Sequence, residues 1–156
     1  MASKKIKLTM EEAGVILDYH GALHKESALV LNSSRKLIET FGLYDNNEVE
    51  KLYEENLYKF GEISTINPCR GIFDSLVDIF YAKKNKLSQN ELLKLKEFYE
   101  DYLKTFESNT MNYFNELNSL KKDNFELVNS EIQARESIKN IRFLTNRIIK
   151  LIDSKI

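Results

Sequence analysis

SQNELLKLKEFYEDYLKTFESNTMNYFNELNSLKKDNFELVNSEIQARESIKNIRFLTNRIIKLID, residues 88–153, contains neither glycine nor proline. Nothing in its backbone chemistry interrupts a helix. Every seventh residue from Leu92 is apolar: Leu92, Tyr99, Phe106, Tyr113, Leu120, Leu127, Ala134, Ile141 and Ile148. A period of 3.5 residues keeps one seam facing a partner helix and implies a left-handed supercoil. Ser88 and Glu91 supply the S/T-x-x-E capping box that starts such a helix. The second seam, three or four residues on, is apolar at both ends (Leu95, Tyr102, Leu103, then Leu117, Ile138, Leu144, Leu151, Ile152). It fails at Asn109/Thr110, Asp123/Asn124 and Ser130/Glu131. Two arrangements fit: one coiled-coil-like helix of about 65 residues, some 95 Å long at ~1.5 Å per residue, or a helical hairpin bent near 108–110 or 121–124. The hairpin is expected, because a chain of this size more often uses helices of ordinary length.

Upstream, the same reading gives three more helices. Thr9 and Glu12 form another capping box, and Gly42 suits the left-handed position after a helix end. Helix 1 therefore spans 9–41. Its positions 13, 16, 20, 23, 27, 30, 34, 37 and 41 form one face that reads Ala, Ile, His, Leu, Ser, Val, Ser, Leu, Phe. Leu17, Ala28, Leu31 and Ile38 widen it. Helix 2 fits 46–60, with Leu52, Tyr53, Leu57 and Phe60 inward, and residues 63–66 read as a loop. Asn67 and Pro68, as N-cap and first helical residue, open helix 3 over 68–82. Ile72, Leu76, Ile79 and Phe80 face inward there, and residues 83–86 form a polar turn. The fold class is all-α: a single helical domain over 1–156, with about five helices and a coiled-coil-like C-terminal half.

Composition narrows the class of function. The 23 basic and 24 acidic side chains nearly cancel, so the molecule as a whole is not an electrostatic binder of nucleic acid or membrane. A single cysteine, Cys69, forms no intramolecular disulfide and fits a reducing, cytoplasmic compartment. Lys4, Lys5 and Lys7 resemble the basic flank of a signal peptide, but Glu11 and Glu12 follow without an apolar run, so no secretion signal is expected. No stretch approaches the ~18 apolar residues of a membrane span. Lys outnumbers Arg by 18 to 5 and Trp is absent, a bias that suggests an AT-rich genome such as that of a phage or mobile element.

Few residues suggest chemistry. His20 and His24, four apart, share a helix face as helical metal sites require. The glutamate of H-E-x-x-H is missing, and further ligands must come from elsewhere. A core histidine with a hydrogen-bond partner is the simpler reading of His20, and no metal or other cofactor is expected. Cys69 lies near a helix start beside Arg70, where dipole and charge favour a thiolate. It has no histidine nearby in sequence, so a small packed residue is expected. Asp45, Glu48, Glu50, Glu54, Glu55 and Glu62, against Lys51 and Lys59, give residues 45–62 a net charge of −4. Arg135, Lys139, Arg142, Arg147, Lys150 and Lys155, against Glu136 and Asp153, give residues 135–155 a net charge of +4. These two faces pair with each other, within or between molecules, or set the choice of a charged partner. The expected function is a non-enzymatic adaptor, regulator or inhibitor that binds another protein, as a monomer or as a homodimer through the seam. A nucleic-acid-associated regulator using residues 135–155 is the alternative, and a small metal-binding bundle is a third.

Overall fold

A computed structural model describes residues 3–121 and 124–156. Its elements are β1 (Lys5–Lys7), α1 (Met10–Phe41), α2 (Asn47–Thr65), α3 (Arg70–Phe80), β2 (Lys86–Ser88), α4 (Gln89–Leu120) and α5 (Phe125–Lys155). This is an all-α bundle of four long helices, with a short helix and a two-stranded ribbon at one end. No helix among the described residues is long and apolar enough to cross a membrane.

The heptad stretch is a hairpin. Eight of its nine seam positions are buried, and the exception, Leu120, is the last residue of α4. α4 runs straight through 108–110, so no bend lies there. The chain reverses between Leu120 and Phe125; of the bend expected at 121–124, residues 122 and 123 lie outside the described residues. Asn124 ends the turn by accepting the Leu127 N–H at 3.1 Å, capping α5. Polar Asn109 and Thr110 break the second seam for a different reason. They form, with Asn56, a polar layer between two apolar clusters of the core. Asn56 Nδ2 donates to Thr110 Oγ1 at 2.8 Å, and that hydroxyl donates to the Phe106 carbonyl at 2.7 Å.

Both expected capping boxes form. Thr9 Oγ1 accepts from Glu12 N at 3.0 Å and Ser88 Oγ from Glu91 N at 3.1 Å, with the reciprocal glutamate bonds present. Leu8 alone separates β1 from the Thr9 cap, and the Ser88 cap is the last residue of β2. β1 and β2 pair antiparallel, with Ile6 opposite Leu87, and both of these side chains are buried. The ribbon thus pins together the N-termini of α1 and α4, which run parallel as a diagonal pair. α2 and α5 each pack against both of them and form the other diagonal.

Three sequence boundaries shift. α2 continues to Thr65 instead of ending at Phe60, because Ile63 is fully buried and holds the last turn against the core. Within α2, Leu57 is exposed instead of inward; Val49, Leu52, Asn56 and Ile63 make its buried face. α3 begins at Arg70, after a cis Asn67–Pro68 peptide, with Cys69 as an N-cap that makes no side-chain bond. Asn67 and Pro68 are therefore neither cap nor first helical residue. Phe80 is partly exposed, but its ring edge fills the space Gly14 leaves: a Cβ at residue 14 would stand 3.1 Å from Phe80 Cε2. Lys86, expected in a polar turn, belongs to β2 and pairs with Lys7.

Candidate interaction surface

The interior accounts for the residues that looked chemical. His20, Ser27 and Ser34 follow at heptad spacing along α1, and each receives a tyrosine from α4 across the core. His20 Nε2 lies 3.2 Å from the Ile63 carbonyl, which can only accept, so that nitrogen carries the proton. Nδ1 is then the acceptor for the Tyr99 hydroxyl at 2.8 Å. Burial holds the His20 pKa down at about 4, against the pull of the Ile63 carbonyl. Tyr102 Oη donates to Ser27 Oγ at 2.6 Å, and the Ser27 hydroxyl in turn donates to the Leu23 carbonyl at 2.8 Å. Tyr113 Oη donates to the Ser34 carbonyl. Burial raises the pKa of all three phenols, so each is a fixed donor.

His24 takes a different partner, Ser64 Oγ at 2.9 Å, and rests on the Phe60 ring. The two imidazoles thus do not converge on a common point. Among the described residues, no group of three or more His, Cys, Asp or Glu converges where a metal ion would sit. Cys69 is fully buried with its thiol 3.9 Å from the Lys94 carbonyl, and burial pushes its pKa up. Desolvation outweighs the nearby Lys94 charge, so Cys69 is the small packed residue expected and its thiol is not favoured as a thiolate.

The surface feature without an internal explanation is the outer side of α5. Leu127, Ala134, Ile138, Ile141, Thr145, Ile148 and Ile152 form its buried face. At 100° per residue, Phe125, Ile132 and Phe143 fall on the opposite side. They are 78%, 60% and 58% exposed, and Val128 beside them is 45% exposed. Lys139 follows Ile132 on this side after the exposed Glu136, Arg147 and Lys150 follow Phe143, and none of the three cations has an ion-pair partner among the described residues; the Arg147 guanidinium lies 5.5 Å from the Phe143 ring centre. Arg135 and Arg142 are less free. Arg135 pairs with Glu131 at 2.9 Å within α5, and Arg142 pairs with Glu107 of α4. Sequence reading named the cations but missed the apolar stripe. Its signal was present: once Leu127, Ala134, Ile141 and Ile148 are inward, Phe125, Ile132 and Phe143 must be outward.

The acidic face lies on the other side of the bundle. Glu48, Glu54 and Glu55 are exposed and Glu50 is half-buried. None of the four pairs with a cation among the described residues. Because α2 and α5 are diagonal, the acidic and basic faces do not pair within one molecule. The α2 cation Lys59 instead bridges to α4, 2.7 Å from Asp101, and to Glu62 at 3.4 Å. Burial works against its charge, but the two carboxylates outweigh this and hold its pKa above the usual range. Tyr58, 71% exposed, stands beside a groove of about 350 Å³ lined by Lys51, Glu54, Glu55 and Thr105. Set against known proteins, the chain matches no family model, no curated protein and no solved structure.

Proposed function

We propose that this bundle is a protein-interaction module of the adaptor, regulator or inhibitor kind, with the outer side of α5 as its docking surface. One observation carries the reading: Phe125, Val128, Ile132 and Phe143 are exposed along one side of a single helix that also carries the unpaired cations Lys139, Arg147 and Lys150. Exposed hydrophobics scattered over a surface need no explanation, but four large ones aligned on one side of a single helix mark a contact surface. Aromatic side chains and arginine are also the residues that anchor interfaces. The stripe contributes nothing to the fold that a polar residue would not, since the opposite face of α5 does the packing. A partner that fits must offer apolar groups flanked by carboxylates.

The test uses the protein as bait in the cells that produce it. Phe125, Ile132 and Phe143 are replaced together by Ser, and in a control Glu97 and Lys104 of the α4 outer face are replaced by Ser. Wild type and control are expected to retain the same partner while the triple variant, still folded by circular dichroism, loses it. Retention of every partner by the triple variant would overturn the reading. The alternative use of α5, tracking phosphates with Lys139, Arg147 and Lys150, predicts instead a steep loss of nucleic-acid binding with added salt. Three free cations beside four exposed apolar side chains suit a protein partner better than a phosphate backbone.

A further inference from the structure

We infer that one occupant of the α5 stripe is the α2 face of a second copy of this chain, so that molecules join head to tail. The inference rests on the reading of α5 as a docking surface and names what docks there. Three observations on the molecule support it. First, the charges are complementary: among the described residues Glu48, Glu54 and Glu55 stand exposed and unpaired on α2, and Lys139, Arg147 and Lys150 stand exposed and unpaired on α5. These faces are barred from each other within one molecule by their diagonal placement. Second, the apolar content matches. The outer side of α2 exposes Leu57 and Tyr58 among Glu54 and Glu55, the same mixture in opposite sign as Phe143 among Lys139 and Arg147. The groove beside Tyr58, about 350 Å³, gives a protruding ring of the stripe a place to enter. Third, the lengths agree. Glu48 to Tyr58 in α2 spans ten residue steps and Lys139 to Lys150 in α5 spans eleven, about 15–17 Å at ~1.5 Å per step.

Geometry then fixes the kind of assembly. A contact between two different surfaces on opposite sides of one molecule is heterologous. Each added copy presents a fresh α2 face at one end and a fresh α5 stripe at the other. The product grows with concentration instead of stopping at a closed dimer. Since exposed charges are screened beyond a Debye length of ~10 Å at ~0.1 M salt, added salt weakens it.

Sedimentation velocity over a concentration series separates the possibilities. The proteins are wild type, an α2 variant (Glu54→Lys with Glu55→Lys) and an α5 variant (Lys139→Glu with Arg147→Glu). All four positions are exposed, and circular dichroism verifies that both variants fold. Wild type is expected to grow in mean mass with concentration at ~50 mM salt and to return toward monomer at ~500 mM. Each variant alone is expected to stay monomeric. Mixed in equal amounts, the two are expected to associate, because the intact stripe of the α2 variant meets the intact α2 face of the α5 variant. Wild type that stays monomeric throughout, or a mixture that does not associate, would overturn the inference. A third outcome divides it from the reading beneath: if the α2 variant still associates as wild type does and the α5 variant does not, the stripe docks another surface and only the occupant named here is wrong.

Discussion

α4 and α5 come from one unbroken heptad pattern, have almost equal lengths, and bury one face each, yet they treat their aromatic residues in opposite ways. The aromatics of α4 (Phe98, Tyr99, Tyr102, Phe106, Tyr113 and Phe114) are all buried. The aromatics of α5 (Phe125 and Phe143) are both exposed. α4 fills the bundle and reaches across it to α1; α5 closes the bundle with aliphatic residues and presents its rings outward. The difference teaches that a heptad seam reports which residues pack but says nothing of what the other face is for. On α4 that face is mainly polar, with Leu93 its one large exposed apolar residue before the helix end. On α5 it combines apolar groups with uncommitted positive charge.

The largest effects should break the symmetry between the helices. Phe106→Ala should destabilise the fold by about 3–5 kcal/mol, through lost burial and the cavity left behind. Phe143→Ala should change stability by less than about 0.5 kcal/mol, as at most surface sites. Urea denaturation of the two variants measures both. Comparable losses would mean that α5's outer face is structural after all.

The next effect sharpens the α1–α4 contact. The folded His20 pKa of about 4 lies below the ordinary 6.5, because burial disfavours the charged ring. The unfolded chain takes up a proton as pH falls through 6.5, whereas the folded chain takes it up only near 4. The stability supplied by neutral His20 is therefore complete above pH 6.5 and is lost progressively between there and about pH 4, by up to ~3 kcal/mol. Glu12, Glu91 and Glu131, whose pKa values are lowered from 4.5, add their loss only at the acid end of that range. Denaturation curves at pH 7, 6 and 5 should show the slope in wild type and lose it in His20→Gln. A slope that persists in the variant would assign it to other groups.

The smallest effect concerns a single hydroxyl. Tyr102→Phe removes the donor to Ser27 Oγ but leaves the Ser27–Leu23 bond intact. A loss of about 1 kcal/mol is expected, the net worth of one hydrogen bond without a stranded buried partner. A loss beyond about 3 kcal/mol would mean that the tyrosine rungs act as one network.

Much of this architecture was legible because the chain marks its helices clearly. Thr9/Glu12 and Ser88/Glu91 are local signals that need no tertiary context, and both boxes form as read. The α1 stripe, including polar His20, Ser27 and Ser34, is buried as its spacing implied. What escaped depends on residues far apart in sequence. Lys5–Lys7 becomes a strand only because Lys86–Ser88 lies beside it, and three residues carry no readable period. Ile63 extends α2 because a core is waiting for it, whereas residues 63–66 viewed alone read as a loop. Asn109 and Thr110 resembled a bend because the partner of Thr110, Asn56, sits on another helix. The cations of the candidate surface were visible as charges. That α2 and α5 lie on opposite sides, and that α5's aromatics point outward, required the topology of the bundle.

The most direct test of α5 as a contact surface is a photo-crosslinking amino acid placed at Ile132, with Lys104 on the outer face of α4 as the matched position, in cells that produce the protein. Both residues are exposed on adjacent long helices, so they sample the same surroundings. Discrete crosslinked products from position 132 and none from position 104 are predicted. Equal labelling from both positions, or none from position 132, would contradict the assignment of a docking surface to α5.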